Sequence, residues 1–549
     1  MARMGEGEPV GLNRKQWAGI AVAAVLVAGG IVVATIGWGR YGGSINALDV
    51  DLEHPQAYVS TPALSKLPRD LIKAPVLRDV LTEDFAFYYE EHESRLGLQG
   101  ALKRIAFEHD TTLSDKLIAL ALDEPAEMAF WTDAKGAPRH WVMAMTRGVL
   151  ARTLQGAAAL ATNDRQFSVI DPIRVNGDTL PVYALTLSSR RTLALVAQGN
   201  RVVVLSDPGL LFDAERKADA HSRDIVAALL SADAKAQAVY RRGFGLGDVD
   251  KSGNGHTLVA DARLMSFGYQ HFFPGLRALR FDIAPGGAVL ATQLRVDGLA
   301  ALPAAPADRG LWSALPANPA ACTLLPADWT RARGVAGAPG WPALADQLDG
   351  PAAICWYPRS HFHTPLVVAQ LREGAADPSA SLDALSGWLL PAKSTALTPA
   401  ARTGAQRWQR EVRAPWGPHG DATATTYRPT LARQGRWLTF SPDDALVDQA
   451  LDAQARRFPS VADSLPAGPA TLAVIAPRQA AELARREAFE VLPQEQELFR
   501  RAAERQLVPR LDALGKLPTA RAVAAGKPDA EGWVALDWQP FPLAGAKTR

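Results

Sequence analysis

The sequence contains little cysteine and no concentration of charge of either sign. Cys322 and Cys355 are its only cysteines among 549 residues, which excludes a disulfide-dense scaffold and a zinc site built from four cysteines. The 59 Lys and Arg residues nearly balance the 57 Asp and Glu residues, leaving a formal net charge of +2. Because phosphate contacts dominate nucleic-acid affinity and no basic run interleaved with aromatic residues occurs, nucleic acid is not an expected partner.

The sequence also lacks the short motifs of common active sites. G-x-S-x-G, S-x-x-K and H-E-x-x-H do not occur in a supporting context, and neither a P-loop nor a dinucleotide-binding glycine fingerprint is present. The glycine-rich stretch 243–247 follows a helix-like segment rather than a strand, so it lacks the context of a phosphate-binding loop. We therefore predict no catalytic residue and no cofactor, although a site assembled from residues distant in sequence stays open.

One long apolar run stands out near the N-terminus. Residues 18–37 contain no charged residue, and Trp17 and Trp38 bracket them. On a helix rising 1.5 Å per residue the two indoles lie roughly 31 Å apart, close to the thickness of the hydrocarbon core. Indole rings prefer the two membrane interfaces. The run predicts a transmembrane anchor over residues 16–40.

The flanking charges predict the orientation of this anchor. Arg3, Arg14 and Lys15 precede the run, whereas Arg40 alone follows it closely. The positive-inside rule then places residues 1–15 in the cytoplasm and the bulk of the chain in the periplasm, at the bacterial inner membrane. A cleaved signal peptide is the alternative, but its apolar region is typically about 7–15 residues and ends at an A-x-A-like site, which is missing here.

Three pairs of similar segments occur in the same order in the two halves of the chain. Each pair combines strand-like runs with similar turn residues: Leu122–Trp131 with Leu348–Tyr357, the turn Gln198-Gly199 with Gln434-Gly435, and Thr257–Asp261 with Thr471–Ile475. Each Gln-Gly pair lies between two apolar runs and predicts a hairpin turn. The serine that follows each hairpin, Ser206 or Ser441, is expected to be the N-cap of a helix.

These matches predict an internal duplication rather than a chance resemblance. We expect two copies of one α+β unit, residues 54–298 and 320–540, each with a mainly antiparallel sheet flanked by helices. The first copy contains an insert at about 82–121 that the second lacks. The Ala- and Pro-rich stretch 299–319 is expected to be a linker.

The two cysteines fall in strand-like runs near the start of the second copy. If these strands pair, the sulfur atoms of Cys322 and Cys355 come within bridging distance, and an oxidising compartment then permits a disulfide. Two buried free thiols are the other interpretation. The sequence does not decide between them.

Two further patterns resemble metal-binding sequences weakly. Asp248, Asp250 and Ser252 have the spacing that begins a calcium loop, but Val259 occupies the position that needs a bidentate Glu, so we predict a polar turn. His361 and His363 lie on one face of an extended segment, a spacing that metals can use. With no other His or Cys nearby in sequence, we predict two surface histidines, unless the fold brings a further ligand near.

The segments Leu67–Ile72 and Leu77–Glu90, together with the anchor, resemble a bacterial family of unknown function. Members of that family are single-pass envelope proteins, and their genes lie beside those of alpha-2-macroglobulin-like protease traps. The resemblance implies a similar membrane topology for this chain. It supplies no catalytic residue, because the similar segments are structural.

The leading functional hypothesis is a non-enzymatic, membrane-anchored periplasmic protein that binds or organises a protein partner in the envelope. The resemblance makes an alpha-2-macroglobulin-like system the first partner to test. Two alternatives remain: a periplasmic hydrolase with a dispersed site, for example in the insert 82–121, and a glycan- or small-molecule-binding module. Carboxylates and a His converging in one pocket favour the hydrolase, and aromatic residues lining a groove favour the binding module.

Overall fold

Antiparallel sheet dominates the protein. The computed structural model describes residues 41–63, 66, 67, 70, 124–132, 138–146, 167–175, 177–188, 191–247, 255–265, 275–287, 290–296, 308–325, 329, 333, 339–389, 398, 399, 404–414, 425–466, 470–491 and 497–540. The chain divides into two compact units. The first contains residues up to Leu264 and Arg280–Leu290, and the second contains Met265–Leu279 and the residues from Ala291 onward.

The first half of the chain supplies twelve strands and four short helices among the described residues. In chain order they are β1 (Ala57–Thr61), β2 (Ala126–Thr132), β3 (Pro138–Thr146), β4 (Phe167–Val169), β5 (Ile173–Val175), β6 (Asp178–Leu180), β7 (Tyr183–Ser188), β8 (Arg191–Gln198), β9 (Arg201–Leu205), α1 (Ala220–Leu230), α2 (Ala234–Gln237), α3 (Val239–Gly243), β10 (His256–Asp261), α4 (Ala262–Met265), β11 (Leu276–Ile283) and β12 (Leu290–Val296).

Eight strands of the first unit form one antiparallel sheet in the order β10-β1-β2-β3-β9-β8-β7-β4. Strand β9 is rich in Val and is buried at every residue, as expected for a β-branched strand in the middle of a sheet. Helix α1 contacts β9, and its residues Ile225, Val226 and Leu229 are buried. Their spacing places them on one face of the helix, and that face covers the sheet.

The second half supplies twelve strands and six helices among the described residues. They are α5 (Asp308–Ser313), β13 (Ala321–Leu325), α6 (Trp341–Ala345), β14 (Leu348–Trp356), β15 (Leu366–Leu371), α7 (Ser379–Leu389), β16 (Thr398–Pro399), β17 (Gln406–Gln409), β18 (Val412–Ala414), β19 (Thr425–Tyr427), β20 (Thr430–Gln434), β21 (Trp437–Ser441), α8 (Asp444–Gln454), β22 (Thr471–Ile475), α9 (Pro477–Val491), α10 (Glu497–Leu514), β23 (Ala520–Ala524) and β24 (Trp533–Pro540).

The sheet of the second unit has the order β12-β24-β23-β22-β13-β14-β15-β21-β20-β17-β16, with every pairing antiparallel. Helix α8 contacts β20 and β21, so this sheet too has a helix on one face. The predicted architecture of mainly antiparallel sheet with helices is confirmed.

Eight consecutive strands of the second sheet, β22-β13-β14-β15-β21-β20-β17-β16, follow the same order as the whole sheet of the first unit. The segments that are similar in sequence occupy equivalent places: β2 corresponds to β14, the hairpin β8–β9 to β20–β21, and β10 to β22. Similar turn and strand sequences thus belong to equivalent strands of two sheets.

Both Gln-Gly sequences form the predicted hairpin turns. Gln198 pairs with Arg201, and Gln434 pairs with Trp437, so each loop has two residues. The glycines Gly199 and Gly435 have φ of 57° and 58°. A two-residue hairpin turn requires such a positive φ, which glycine adopts without steric cost.

The predicted serine N-caps are wrong by one or two residues. Asp207 accepts a hydrogen bond from the Gly209 amide, and Asp443 accepts one from the Ala445 amide at the start of α8. The serines lie earlier: the Ser206 hydroxyl accepts from the Trp141 amide. A carboxylate two residues before the free amides reaches them, whereas each serine still belongs to the sheet or its edge.

Part of the predicted linker is packed structure. Residues 308–319 include helix α5, whose Trp312 is fully buried and donates a hydrogen bond to the Thr471 carbonyl. Trp312 and Leu315 belong to the core of the second unit, together with Cys322 and Cys355. The Ala and Pro content of this stretch predicted a linker, although its large apolar residues pack into the core.

Two predicted segments lie outside the described residues: the apolar run 18–37 and the insert at about 82–121. Within the part of the chain that the structure describes, no helix combines the length and apolarity needed to cross a membrane.

Candidate functional site

The site residues predicted from sequence fall into three groups: three that lie outside the described residues, two cysteines on paired strands, and two histidines in a loop. Asp248, Asp250 and Ser252 lie outside the described residues. Cys322 and Cys355 lie directly opposite each other on β13 and β14, with Cα atoms 4.0 Å apart and their sulfur atoms at bonding distance. Both cysteines are buried in the core of the second unit. Their placement permits the disulfide that the sequence left open.

The two histidines lie in the connection from β14 to β15, which is fixed by local hydrogen bonds. The fully buried Ser360 hydroxyl bonds to the backbone of Tyr357 in both directions, at 2.8 Å. The His361 amide donates to the Thr364 hydroxyl at 2.8 Å, and the Thr364 amide donates back to the His361 carbonyl at 3.0 Å. The backbone of His361 is therefore held in one conformation.

Helix α9 supplies two carboxylates to the same place. Pro477 opens the helix at a position where its missing amide hydrogen costs nothing, and Ala, Glu, Arg and Leu favour the helix that follows. Glu487 and Glu490 are three residues apart and therefore share one helix face. Their side chains are 15% and 40% exposed, so the cluster is partly buried and open to solvent on one side.

His361, Glu487 and Glu490 form a compact cluster, which we call the His–Glu cluster. The Nδ1 atom of His361 contacts Oε1 of Glu487 directly and lies 3.3 Å from Oε2 of Glu490. One ligand atom from each of the three residues lies within 4.8 Å of the other two. One imidazole nitrogen and two carboxylate oxygens are a donor set that divalent metal ions use.

His363 and Tyr427 form the adjoining wall. The rings of His361 and His363 stack at 5.2 Å between centroids, and His363 Nε2 lies 3.4 Å from the Tyr427 hydroxyl. Burial, followed by repulsion from His361, lowers the pKa of His363. Both effects favour the neutral form of the His363 imidazole.

Arg486 ties the loop to the helix beside the cluster. Its Nη1 donates to the Pro358 carbonyl at 2.7 Å, and its Nε lies 3.5 Å from the second carboxylate oxygen of Glu490. The guanidinium thus contacts the oxygen of Glu490 that faces away from His361. The Glu490 carboxylate thus lies between the imidazole of His361 and the guanidinium of Arg486.

The prediction of two plain surface histidines missed this convergence. Glu487 lies 126 residues after His361 in sequence, and no local pattern connects the two positions. The spacing of Glu487 and Glu490 marks one helix face, but it does not reveal which loop that face meets.

A second constellation lies buried in the first unit. The Thr61 hydroxyl is 2.8 Å from His256 Nδ1, and His256 Nε2 is 3.1 Å from the Asp70 carboxylate. A hydroxyl–imidazole–carboxylate chain has the order of groups used in nucleophilic catalysis. All three residues are buried, at 2%, 1% and 7% exposure, so the hydroxyl does not face solvent and the chain instead joins β1 and β10 to the segment around Asp70.

Comparison with known proteins identifies the family. Residues 18–538 match a family described as uncharacterised proteins conserved in bacteria, DUF2138. The chain belongs to this family. The prediction of a bacterial family of unknown function is confirmed, and the match includes the His–Glu cluster, the buried Thr61–His256–Asp70 chain and both cysteines of this DUF2138 protein.

One relative and two solved structures are similar to this DUF2138 chain. The uncharacterised protein YfaA of Escherichia coli (strain K12) is 33% identical over 521 residues, which cover 90% of this chain and 92% of YfaA. Crystal forms IV and III of TP0453 match with TM-scores of 0.21 and 0.20 and identities of 9% and 8%, covering 44% and 46% of this chain and 76% and 78% of the TP0453 chains. Those scores are too low to carry an argument about fold.

Proposed function

We propose that this DUF2138 protein is anchored in the bacterial inner membrane by residues 16–40 and binds a protein partner in the periplasm. The uncharged run 18–37 with its flanking tryptophans supports the anchor. The family match begins at residue 18 and so includes this run. In this proposal residues 1–15 are cytoplasmic and the sheet units are periplasmic.

A rigid, exposed aromatic residue carries the proposal of partner binding. Phe362 lies at the centre of the His361–His363 segment and is 40% exposed. Its carbonyl accepts a hydrogen bond from Trp356 Nε1 at 2.8 Å, and the turns around Ser360 and Thr364 fix the backbone on either side. Aromatic residues that are exposed in the free protein and held rigidly are typical anchors of protein interfaces.

Charged side chains around Phe362 complete the pattern of an interface. The His–Glu cluster and Arg486 lie beside the loop and supply groups of both signs. Interfaces commonly combine a central aromatic anchor with a polar rim. An alpha-2-macroglobulin-like protein is the first partner that we propose to test, because the resemblance implies that its gene lies beside the gene of this protein.

We also propose that the two units arose by duplication. The shared order of eight strands and the equivalent positions of the similar segments support this origin.

Affinity purification from detergent-solubilised envelopes tests the partner proposal. The wild-type chain is expected to retain one stoichiometric protein, and Phe362→Ala is expected to reduce its recovery at least tenfold, as loss of an interface anchor does. Phe458→Ala is the matched control, because Phe458 is 37% exposed and lies elsewhere in the second unit. Repeated purifications without a stoichiometric protein, or equal losses in the two variants, contradict the proposal.

A further inference from the structure

The His–Glu cluster presents an arrangement that a simple ion pair does not explain. Two carboxylate oxygens, one from Glu487 and one from Glu490, approach the same nitrogen, Nδ1 of His361. An imidazolium Nδ1 carries a single hydrogen and directs it along one line, so it donates one good hydrogen bond. A metal ion in place of that hydrogen satisfies all three groups at once.

The distances in the cluster suit a small divalent ion. Zinc binds imidazole nitrogen at about 2.0–2.1 Å and carboxylate oxygen at about 2.0–2.2 Å, which places neighbouring tetrahedral ligands roughly 3.3 Å apart. Nδ1 of His361 and Oε2 of Glu490 are already 3.3 Å apart. The Glu487 carboxylate, which contacts Nδ1 directly, must move away from the imidazole for an ion to enter.

The surroundings hold the donors in place. Hydrogen bonds within the loop fix the backbone of His361. Nε of Arg486 lies 3.5 Å from Oε1 of Glu490. Arg486 also donates to the Pro358 carbonyl at 2.7 Å, which joins α9 to the loop that carries His361. The two carboxylates outweigh the single guanidinium, so the cluster and Arg486 together carry a net negative charge when His361 is neutral, which favours a cation.

We propose that His361, Glu487 and Glu490 bind one Zn²⁺ ion, with solvent at the fourth position. Zinc accepts mixed nitrogen and oxygen donors in tetrahedral geometry, whereas sites for magnesium and calcium are built from oxygen donors alone. Binding replaces any proton on Nδ1, which is released to solvent. The ion fastens the β14–β15 loop to α9, and its binding does not require the proposed protein partner.

Equilibrium dialysis of the full chain in detergent against Zn²⁺ tests the proposal. The protein should carry a purification tag without histidine, and bound metal is measured by elemental analysis. We expect one equivalent of Zn²⁺ in the wild type and at least a tenfold weaker affinity in Glu487→Gln and in His361→Ala. Zn²⁺ is also expected to raise the melting temperature of the wild type and not that of Glu487→Gln.

A surface histidine in the first unit supplies the matched control. His221 lies 3.5 Å from Asp51 and 3.8 Å from Glu53 but is 53% exposed, and His221→Ala is expected to bind Zn²⁺ as the wild type does. Circular dichroism establishes that each variant is folded. The proposal is overturned if the wild type binds no Zn²⁺, or if a folded Glu487→Gln variant and a folded His361→Ala variant both retain the full equivalent.

Discussion

At the scale of single residues, the clearest polar contact in the first unit is the buried pair His256–Asp70. His256 is 1% exposed, and its two ring nitrogens contact Asp70 and Thr61. Asp70 belongs to the Leu67–Ile72 segment that resembles the family. Its buried contact with His256 is structural, as expected for that segment. A buried polar group that keeps its partners is tolerated, and one that loses them is costly.

Removing either partner of this pair is therefore expected to destabilise the protein. We expect His256→Ala and Asp70→Ala each to lower the free energy of unfolding by about 3–5 kcal/mol, because each leaves a buried group without its partner. The double variant should cost less than the sum of the two single variants. Chemical denaturation measures all three, and His221→Ala, an exposed pair, should stay within about 0.5 kcal/mol of the wild type. Strict additivity in the cycle argues against the pairing.

The second prediction at this scale is a disulfide between Cys322 and Cys355. The cross-strand placement brings the sulfur atoms together, and an oxidising periplasm permits the bond. The cysteines are 33 residues apart in sequence, so loss of the bond is expected to cost about 3–4 kcal/mol on the loop-entropy account.

Alkylation of unfolded, unreduced protein measures the bond directly. We expect neither cysteine of envelope-purified protein to react until a reductant is added, and the wild type with reductant to unfold at a lower denaturant concentration than without it. Two thiols that react fully before reduction mean that the free-thiol interpretation is correct.

At the scale of elements, Asp443 caps the start of helix α8 with a carboxylate that is partly removed from solvent. The Asp443 carboxylate accepts the Ala445 amide at 3.0 Å, yet burial raises the pKa of Asp443 above its ordinary value. A carboxylate whose pKa is raised on folding favours the folded state while it is protonated, and that contribution is lost as pH rises above the ordinary carboxyl range. The capping hydrogen bonds lower the pKa but do not cancel the effect of burial, so at neutral pH the charge of Asp443 is a net cost.

Substitution at Asp443 separates the cap from the charge. Asp443→Asn keeps a side-chain acceptor of similar capping strength and removes the charge, so its stability at pH 7 is expected to equal or exceed that of the wild type. Asp443→Ala loses the cap and is expected to cost about 1 kcal/mol. Melting temperatures between pH 4 and pH 7 measure both effects. A wild type that gains stability relative to Asp443→Asn as pH rises contradicts the pKa direction.

Elements are also the scale at which sequence and structure agree best. The Gln-Gly hairpins and the strand at Thr471–Ile475 follow from turn chemistry and apolar runs, which act over a few neighbouring residues. The N-caps were predicted one or two residues too early, because Ser and Asp are both good caps and lie next to or near each other at both positions. The meeting of His361 with Glu487 was not predictable, because a local pattern does not specify which distant segment packs against it.

At the scale of the whole molecule, the packing of Trp312 shows how composition misled the domain boundary. The stretch 299–319 has the Ala and Pro content of a linker, but a few large apolar side chains suffice to bury its second half. The two sheets share one strand order, in which β10 pairs with β1 and β22 pairs with β13. These partners are distant in sequence, so local patterns did not predict their pairing.

The prediction with the widest consequence concerns the membrane. A C-terminal alkaline phosphatase fusion, active only in the periplasm, is expected to be active, and a C-terminal green fluorescent protein fusion is expected to stay dark. Replacing Leu26 and Val27 with Arg places two charges at the centre of the apolar run, at about 2.5–3.5 kcal/mol each.

That double variant is expected to lose both phosphatase activity and retention in carbonate-washed membranes. The same two charges at Val10 and Leu12, outside the run, should leave both unchanged. An active phosphatase on a chain that is absent from the membrane and shortened at its N-terminus indicates a cleaved signal peptide instead. A fluorescent green fluorescent protein fusion places the C-terminus in the cytosol and contradicts the periplasmic location. It also contradicts the oxidising conditions that the disulfide between the two cysteines requires.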